Sequence, residues 1–181
     1  MDGGTHTARF APELVVSEWF NSAADITLAG LRGQVVVIEA FQMLCPGCVA
    51  HGLPQAQRIH ASFGSDLTVL GLHTVFEHHD AMRPVSLRAF LHEYRIGFPV
   101  GVDAAESGHL TPATMRRYML EGTPSLIAVD RAGRLRIKAF GQLDDLGLGA
   151  ALARLIDEPL PQLQPDAPPA TDASHVSDQE A

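Results

Sequence analysis

The sequence predicts an α/β domain, with a mixed β-sheet held between helices. Two observations carry this prediction. Short β-branched apolar runs alternate with segments of helical periodicity through the middle of the chain, and the last third holds a hairpin signal followed by one more helix. A chain of 181 residues, 46% of them hydrophobic, suits one domain with a sizeable core.

The elements follow in order. Val15–Trp19 and Ile26–Leu28 read as a small N-terminal β-hairpin. Val35–Phe41 is a nearly continuous apolar run after Arg32-Gly33, the pattern of a strand covered on both faces. From Pro46 to about Phe63, Val49, Leu53, Ala56 and Ile59 recur near helical spacing. Leu67–His73 is a second buried strand. Ser86–Tyr94 is a helix with Leu87, Phe90 and Leu91 as its stripe, and Met82-Arg83-Pro84 marks its start. Phe98–Val102 is a short strand, after which Thr111 caps a helix whose first position is Pro112. Ser125–Val129 and Arg134–Phe140 flank Asp130-Arg131-Ala132-Gly133, a hairpin signal, and Leu146–Ile156 closes the domain as a helix.

Outside this body, residues 1–12 are polar and Gly-rich and are expected to be mobile. The folded domain is expected over residues 13–157. Residues 158–181 contain Pro159, Pro161, Pro165, Pro168 and Pro169 among Ser, Asp and Ala, a composition expected to stay disordered. The net charge of −8 belongs largely to that end, because six of the 21 acidic residues and no Lys or Arg lie from Asp157 onward. No basic patch suggests nucleic acid, and no apolar run suggests a membrane helix. The N-terminus lacks a basic start followed by an apolar stretch, so the expected location is the cytoplasm.

Both cysteines of the chain fall in Leu44-Cys45-Pro46-Gly47-Cys48. In the cytosol such a pair is more often catalytic or metal-binding than structural. Cys45 falls between a strand and a helix, with Pro46 at the first helical position, where its missing N–H costs nothing. Free backbone N–H groups and the helix dipole then point at the Cys45 sulfur and favour thiolate. Cys48 lies one turn along, within reach of it. Cys45 can attack a substrate disulfide, and Cys48 can resolve the mixed disulfide. A zinc site needs two further ligands; His51, one turn past Cys48, could supply one, but His78 and His79 are adjacent and point different ways, so no metal and no other cofactor is expected. Two inert buried thiols would leave Pro-Gly between them without a reason.

Gly33–Phe41 followed by Cys45-Pro46-Gly47-Cys48 resembles the thioredoxin-like superfamily, especially its TlpA-type and redoxin-type thiol–disulfide oxidoreductases. Gly122-Thr123-Pro124-Ser125-Leu126-Ile127-Ala128-Val129 and the Asp130–Gly133 hairpin are similar to the family's Gly-x-Pro strand and Asp-x-x-Gly turn, and Gly71-Leu72-His73-Thr74 to its second strand end. The resemblance covers about residues 14–156. It implies a thioredoxin-like fold with Pro124 in cis beside the cysteines. The partners it implies are a disulfide-bearing protein or a small thiol or peroxide, with a thioredoxin or glutathione system as electron donor. It also implies that Glu39, a carboxylate in an apolar strand, moves protons for the resolving cysteine. Pro46, Gly47, Thr123, Pro124 and His73 are the expected substrate-binding residues, with the Thr123 backbone holding an extended segment. His51, at i, i+3 from Cys48, is a candidate to exchange its proton.

Three departures stand out. TlpA-type proteins are typically exported or membrane-anchored, whereas this sequence shows no signal pattern. The family's usual Trp before the first cysteine is Leu44 here, and its helix proline, usually five residues after the second cysteine, is Pro54, six residues after. The proline spacing also resembles peroxiredoxins. In that register Cys48 attacks peroxide, Cys45 stands in the family's Thr position and resolves the sulfenic acid, and Phe41 stands where the family has Pro.

Overall fold

Val35–Phe41 (β2) is the central strand, and all seven of its residues are buried. The computed structural model describes residues 9–159. Around β2 a six-stranded sheet assembles from β1 (Val16–Phe20), β3 (Leu67–His73), β4 (Val100–Asp103), β5 (Ser125–Val129) and β6 (Leu135–Phe140), in the order β1-β4-β3-β2-β5-β6. β2 runs parallel to β3 and antiparallel to β5, so the sheet is mixed, as expected.

Period-2 alternation in β2 divides the core in two. Val35, Val37 and Phe41 pack under α1 (Leu53–Phe63), α2 (Pro84–Glu93) and α4 (Asp145–Asp157), through Leu53, Ala56 and Ile59, then Leu87 and Leu91, then Leu148, Leu152 and Leu155. Val36, Ile38 and Ala40 pack on the other face with Ala11, Leu28 and Tyr118, the last just beyond α3 (Ala113–Arg117). At about 25 cal/mol per Å² of apolar surface, full burial of each large side chain contributes roughly 1.5–3 kcal/mol. The side that faces α1, α2 and α4 holds most of them.

Several local expectations are corrected. β1 forms, but its antiparallel partner is β4, at the sheet edge, not Ile26–Leu28. Leu28 is buried on the second face of the sheet, with Ile26 packed against that cluster, so these residues serve as packing. Residues 10–12 also make contacts with the sheet and its loops. Phe10 bridges Arg134, the Ala11 N–H donates to the Gly133 carbonyl at 2.9 Å, and the Tyr118 hydroxyl donates to Pro12 O at 2.6 Å. Residues 1–8 lie outside the described residues, as does 160–181 of the expected tail. Glu158 belongs to the folded body, because its carboxylate meets Arg136 Nη2 at 2.7 Å.

Thr111 does not cap α3. The cap comes from Asp103 at the end of β4, 11 residues before Thr114, which accepts from the N–H groups of Thr114 at 2.8 Å and Met115 at 2.9 Å. The Thr74 hydroxyl donates to the same carboxylate at 2.9 Å. Burial raises the Asp103 pKa, and the bonds from Thr114, Met115 and Thr74 oppose that shift. Asp103→Ala leaves two buried N–H groups without acceptors, at about 1–3 kcal/mol each. Urea unfolding is expected to show a loss of about 3 kcal/mol, and an unchanged midpoint would contradict the role assigned to this carboxylate.

The hairpin forms as expected. Asp130 Oδ1 accepts from Ala132 N and Arg134 N at 3.0 and 2.8 Å, and Gly133 takes φ +80°. Among the described residues, no helix is long and apolar enough to cross a membrane.

Candidate active site

The loop after β2 delivers the cysteines to the end of the sheet where the parallel strands finish. The Cys45 N–H is anchored to the carbonyl of Gln42 at 3.2 Å, and the Cys45 carbonyl accepts the first helical bond, from Val49 N–H, at 3.1 Å. Cys45 therefore occupies the cap position with Pro46 next, as expected. The Cys48 N–H donates to the Cys45 sulfur at 3.2 Å, so the sulfur acts as the capping acceptor. The Cys45 thiol itself meets the Thr123 carbonyl at 3.4 Å.

The two sulfurs are both free and sit in different settings. Cys45 is partly exposed, whereas Cys48 is 0% exposed, sealed into the core beneath α1. Burial, and next its hydrogen bond with Cys45, push the Cys48 thiol up to about 12. The outer sulfur is reachable and the inner one is held protonated.

Thr123-Pro124 is cis and lies against the cysteine turn. Pro124 Cδ is so close that a Cβ on Gly47 would fall 3.3 Å from it. Pro46 is exposed at the rim, Thr123 is partly exposed, and Leu44, in place of an aromatic residue, stands 57% exposed beside Cys45.

Below them lies Glu39, 1% exposed, whose Oε1 has no hydrogen-bond partner. Burial first, and then the charge of Cys45, hold its carboxyl well above the usual carboxylate range.

The helix does not begin as a plain α-helix. Cys48–Gly52 is a π turn, closed by Leu53 N–H to Cys48 O, and α1 follows from Leu53. The turn accommodates one extra residue between Cys48 and Pro54, which accounts for the six-residue spacing seen in the sequence. His51 lies within this turn and is exposed, whereas Cys48 is buried.

His73 is enclosed within the fold. It is 1% exposed at the end of β3, tilted against the Phe41 ring with centroids 5.3 Å apart, and neither ring nitrogen has a partner. Burial pushes it down to about 4, and a ring enclosed in this way cannot touch a substrate. Among the described residues, no group of three or more His, Cys, Asp or Glu is arranged to hold a metal ion.

The sequence reading missed two residues of this site. Gln42 is buried, and its Oε1 accepts from Phe76 N–H at 3.3 Å, tying the loop before Cys45 to the loop after β3. Gly52 is the other. Their signals were a polar side chain ending a buried strand and a glycine within a helical stretch.

The chain is similar to a crystallised thioredoxin-like superfamily protein with 61% identity and a TM-score of 0.83, over 85% of this chain and 100% of that one. It is similar to a thiol-disulfide isomerase from Corynebacterium glutamicum with 52% identity and a TM-score of 0.78, over 82% of this chain and 98% of that one. A thioredoxin-like protein solved in solution in its oxidized form shares the fold at 23% identity, with a TM-score of 0.66 over 82% of this chain and 95% of that one. Comparisons with protein-family models and with curated proteins give no match.

Proposed function

The chain belongs to the thioredoxin-like superfamily, among its thiol–disulfide oxidoreductases, and from that premise we propose that Cys45 and Cys48 are its redox couple, acting on protein or small-molecule disulfides. One observation carries this reading: a reachable sulfur on a helix cap, in hydrogen-bond contact with the turn that holds a buried, protonated second cysteine.

The Cys45 sulfur attacks one sulfur of a substrate disulfide. A mixed disulfide forms, and the first substrate thiol leaves. Cys48 then gives up its proton and attacks Cys45 Sγ, the mixed disulfide breaks, and the second substrate thiol leaves. Two electrons have passed to the substrate, and the Cys45–Cys48 disulfide remains. An external dithiol or glutathione system returns the couple to the reduced state. The reverse sequence oxidises a substrate dithiol with the same atoms. Glu39 is the group we assign to exchange the Cys48 proton, because its carboxyl lies beneath the same turn and its raised pKa suits both taking and returning a proton. The Thr123 backbone, beside the Cys45 sulfur, is the edge we assign to an extended substrate segment, with Pro46, Gly47 and Pro124 forming the rim. We infer a cytosolic setting from the use of a single cysteine pair.

The peroxidase reading makes Cys48 the attacking group. Its burial and raised pKa weigh against that order, since the thiolate is the nucleophile. The test is to follow reduction of insulin disulfides and consumption of hydrogen peroxide by the same preparation. Insulin reduction abolished by either cysteine substitution is the expected result. Peroxide turnover without insulin reduction would overturn the assignment.

A second expectation concerns reactivity. Limited treatment with iodoacetamide at neutral pH should label Cys45 first by at least ~100-fold, because a thiol near 12 is almost wholly protonated there. Peptide mapping that finds Cys48 labelled as fast as Cys45 would contradict the order of attack.

A further inference from the structure

Gly52 ends the π turn with φ −59° and ψ −56°, ordinary right-handed helical backbone. Nothing in that conformation requires glycine, and alanine is about 1 kcal/mol better in a helix interior. The space around it does require glycine. A Cβ at position 52 would penetrate Glu39 Oε1, would stand 3.2 Å from Glu39 Cδ, and would lie 2.8 Å from Pro124 Cβ. The volume that any other residue would fill here is filled by the carboxyl of Glu39. That oxygen is enclosed and has no hydrogen-bond partner. It is therefore held by shape, between β2, the π turn and the proline, with no polar contact fixing it.

We propose that Gly52 is a positioning residue for the disulfide exchange. It admits the Glu39 carboxyl into the wedge between the cysteine turn and Pro124, and so keeps that group beside the sulfurs. The inference rests on the proton role given to Glu39 above. The π turn belongs to the same device, because it brings residue 52, and not a residue with a side chain, over the carboxyl. Any substituent at position 52 must displace Glu39, Pro124 or the turn. Removing the Glu39 side chain relieves the tightest of these contacts and leaves the 2.8 Å approach to Pro124 Cβ.

The test is a double-mutant cycle between Gly52→Ala and Glu39→Ala. It is read as kcat/KM for insulin-disulfide reduction across pH, with thermal unfolding recorded for every variant. Gly52→Ala alone is expected to lose about 10–100-fold, the scale of a misplaced catalytic group. Its pH profile is expected to take the shape of the Glu39→Ala profile. Added to Glu39→Ala, the same substitution should change the rate by less than about twofold, since the carboxyl is gone and only the approach to Pro124 Cβ is left to relieve. The double variant also folds around a relieved contact, so it stays measurable if Gly52→Ala alone does not.

Equal fold-losses in both backgrounds would overturn the proposal and assign the effect to Pro124 or to the turn, while the role of Glu39 would stand. Full activity of Glu39→Ala by itself would overturn that role, and the positioning proposal with it.

Discussion

Cys45→Ser is expected to lose disulfide exchange by at least ~10³-fold, about 4 kcal/mol of transition-state stabilisation. The reason is positional as much as chemical. Cys45 is the cysteine with solvent exposure, the Cys48 amide donates to its sulfur, and the Thr123 carbonyl lies 3.4 Å from it. A serine oxygen can keep the cap but cannot form or release a disulfide. Cys48 cannot take over, being sealed from solvent with its thiol pushed up to about 12. Turnover in the insulin assay checks this, and residual activity within tenfold of the unaltered enzyme would contradict it.

The second large effect falls on Glu39. Glu39→Gln is expected to lower turnover by about 10²-fold, within the range of a lost proton-transfer group. It is also expected to change how stability depends on pH. A carboxyl whose folded pKa is raised holds its proton in the native state after the unfolded chain has released it. The stability it leaves to the native state is complete below the unfolded pKa, near 4.3, and declines as pH rises towards the folded value. Each unit of that interval costs the native enzyme about 1.4 kcal/mol. Glutamine does not titrate, so the variant escapes the decline, and whatever offset its amide introduces is the same at every pH. Urea denaturation at intervals from pH 4 to pH 8 should show the variant gaining on the unaltered chain as pH rises. A constant difference would mean that the Glu39 pKa is not raised.

Much of this fold was legible because its signals are local. Val35–Phe41 reads as a central strand from continuous β-branched composition, and Asp130–Gly133 reads as a turn from a side chain that bonds its own neighbours. Cys45-Pro46-Gly47-Cys48 shows the cap, the first helical position and the second thiol within four residues. What could not be read depends on groups far apart in sequence. The cap of α3 is Asp103, a strand residue, and the obvious candidate Thr111 makes no such bond. β1 pairs with a strand about 80 residues on, and no local pattern favours it over Ile26–Leu28. His73 and His51 were placed by their neighbours in sequence. The enclosure of the first and the π turn beneath the second are three-dimensional facts. Gly52 depends on a carboxyl 13 residues earlier in sequence, which fills the space its missing side chain leaves.

The ordering of the two sulfurs is what the remaining chemistry depends on. Each cysteine variant, reduced and then mixed with an excess of a protein disulfide, can be examined by intact mass under non-reducing conditions. Cys48→Ser is predicted to accumulate a mixed disulfide through Cys45, and Cys45→Ser to remain unmodified. An adduct that forms on Cys45→Ser, and not on Cys48→Ser, would reverse the order of attack and contradict the account.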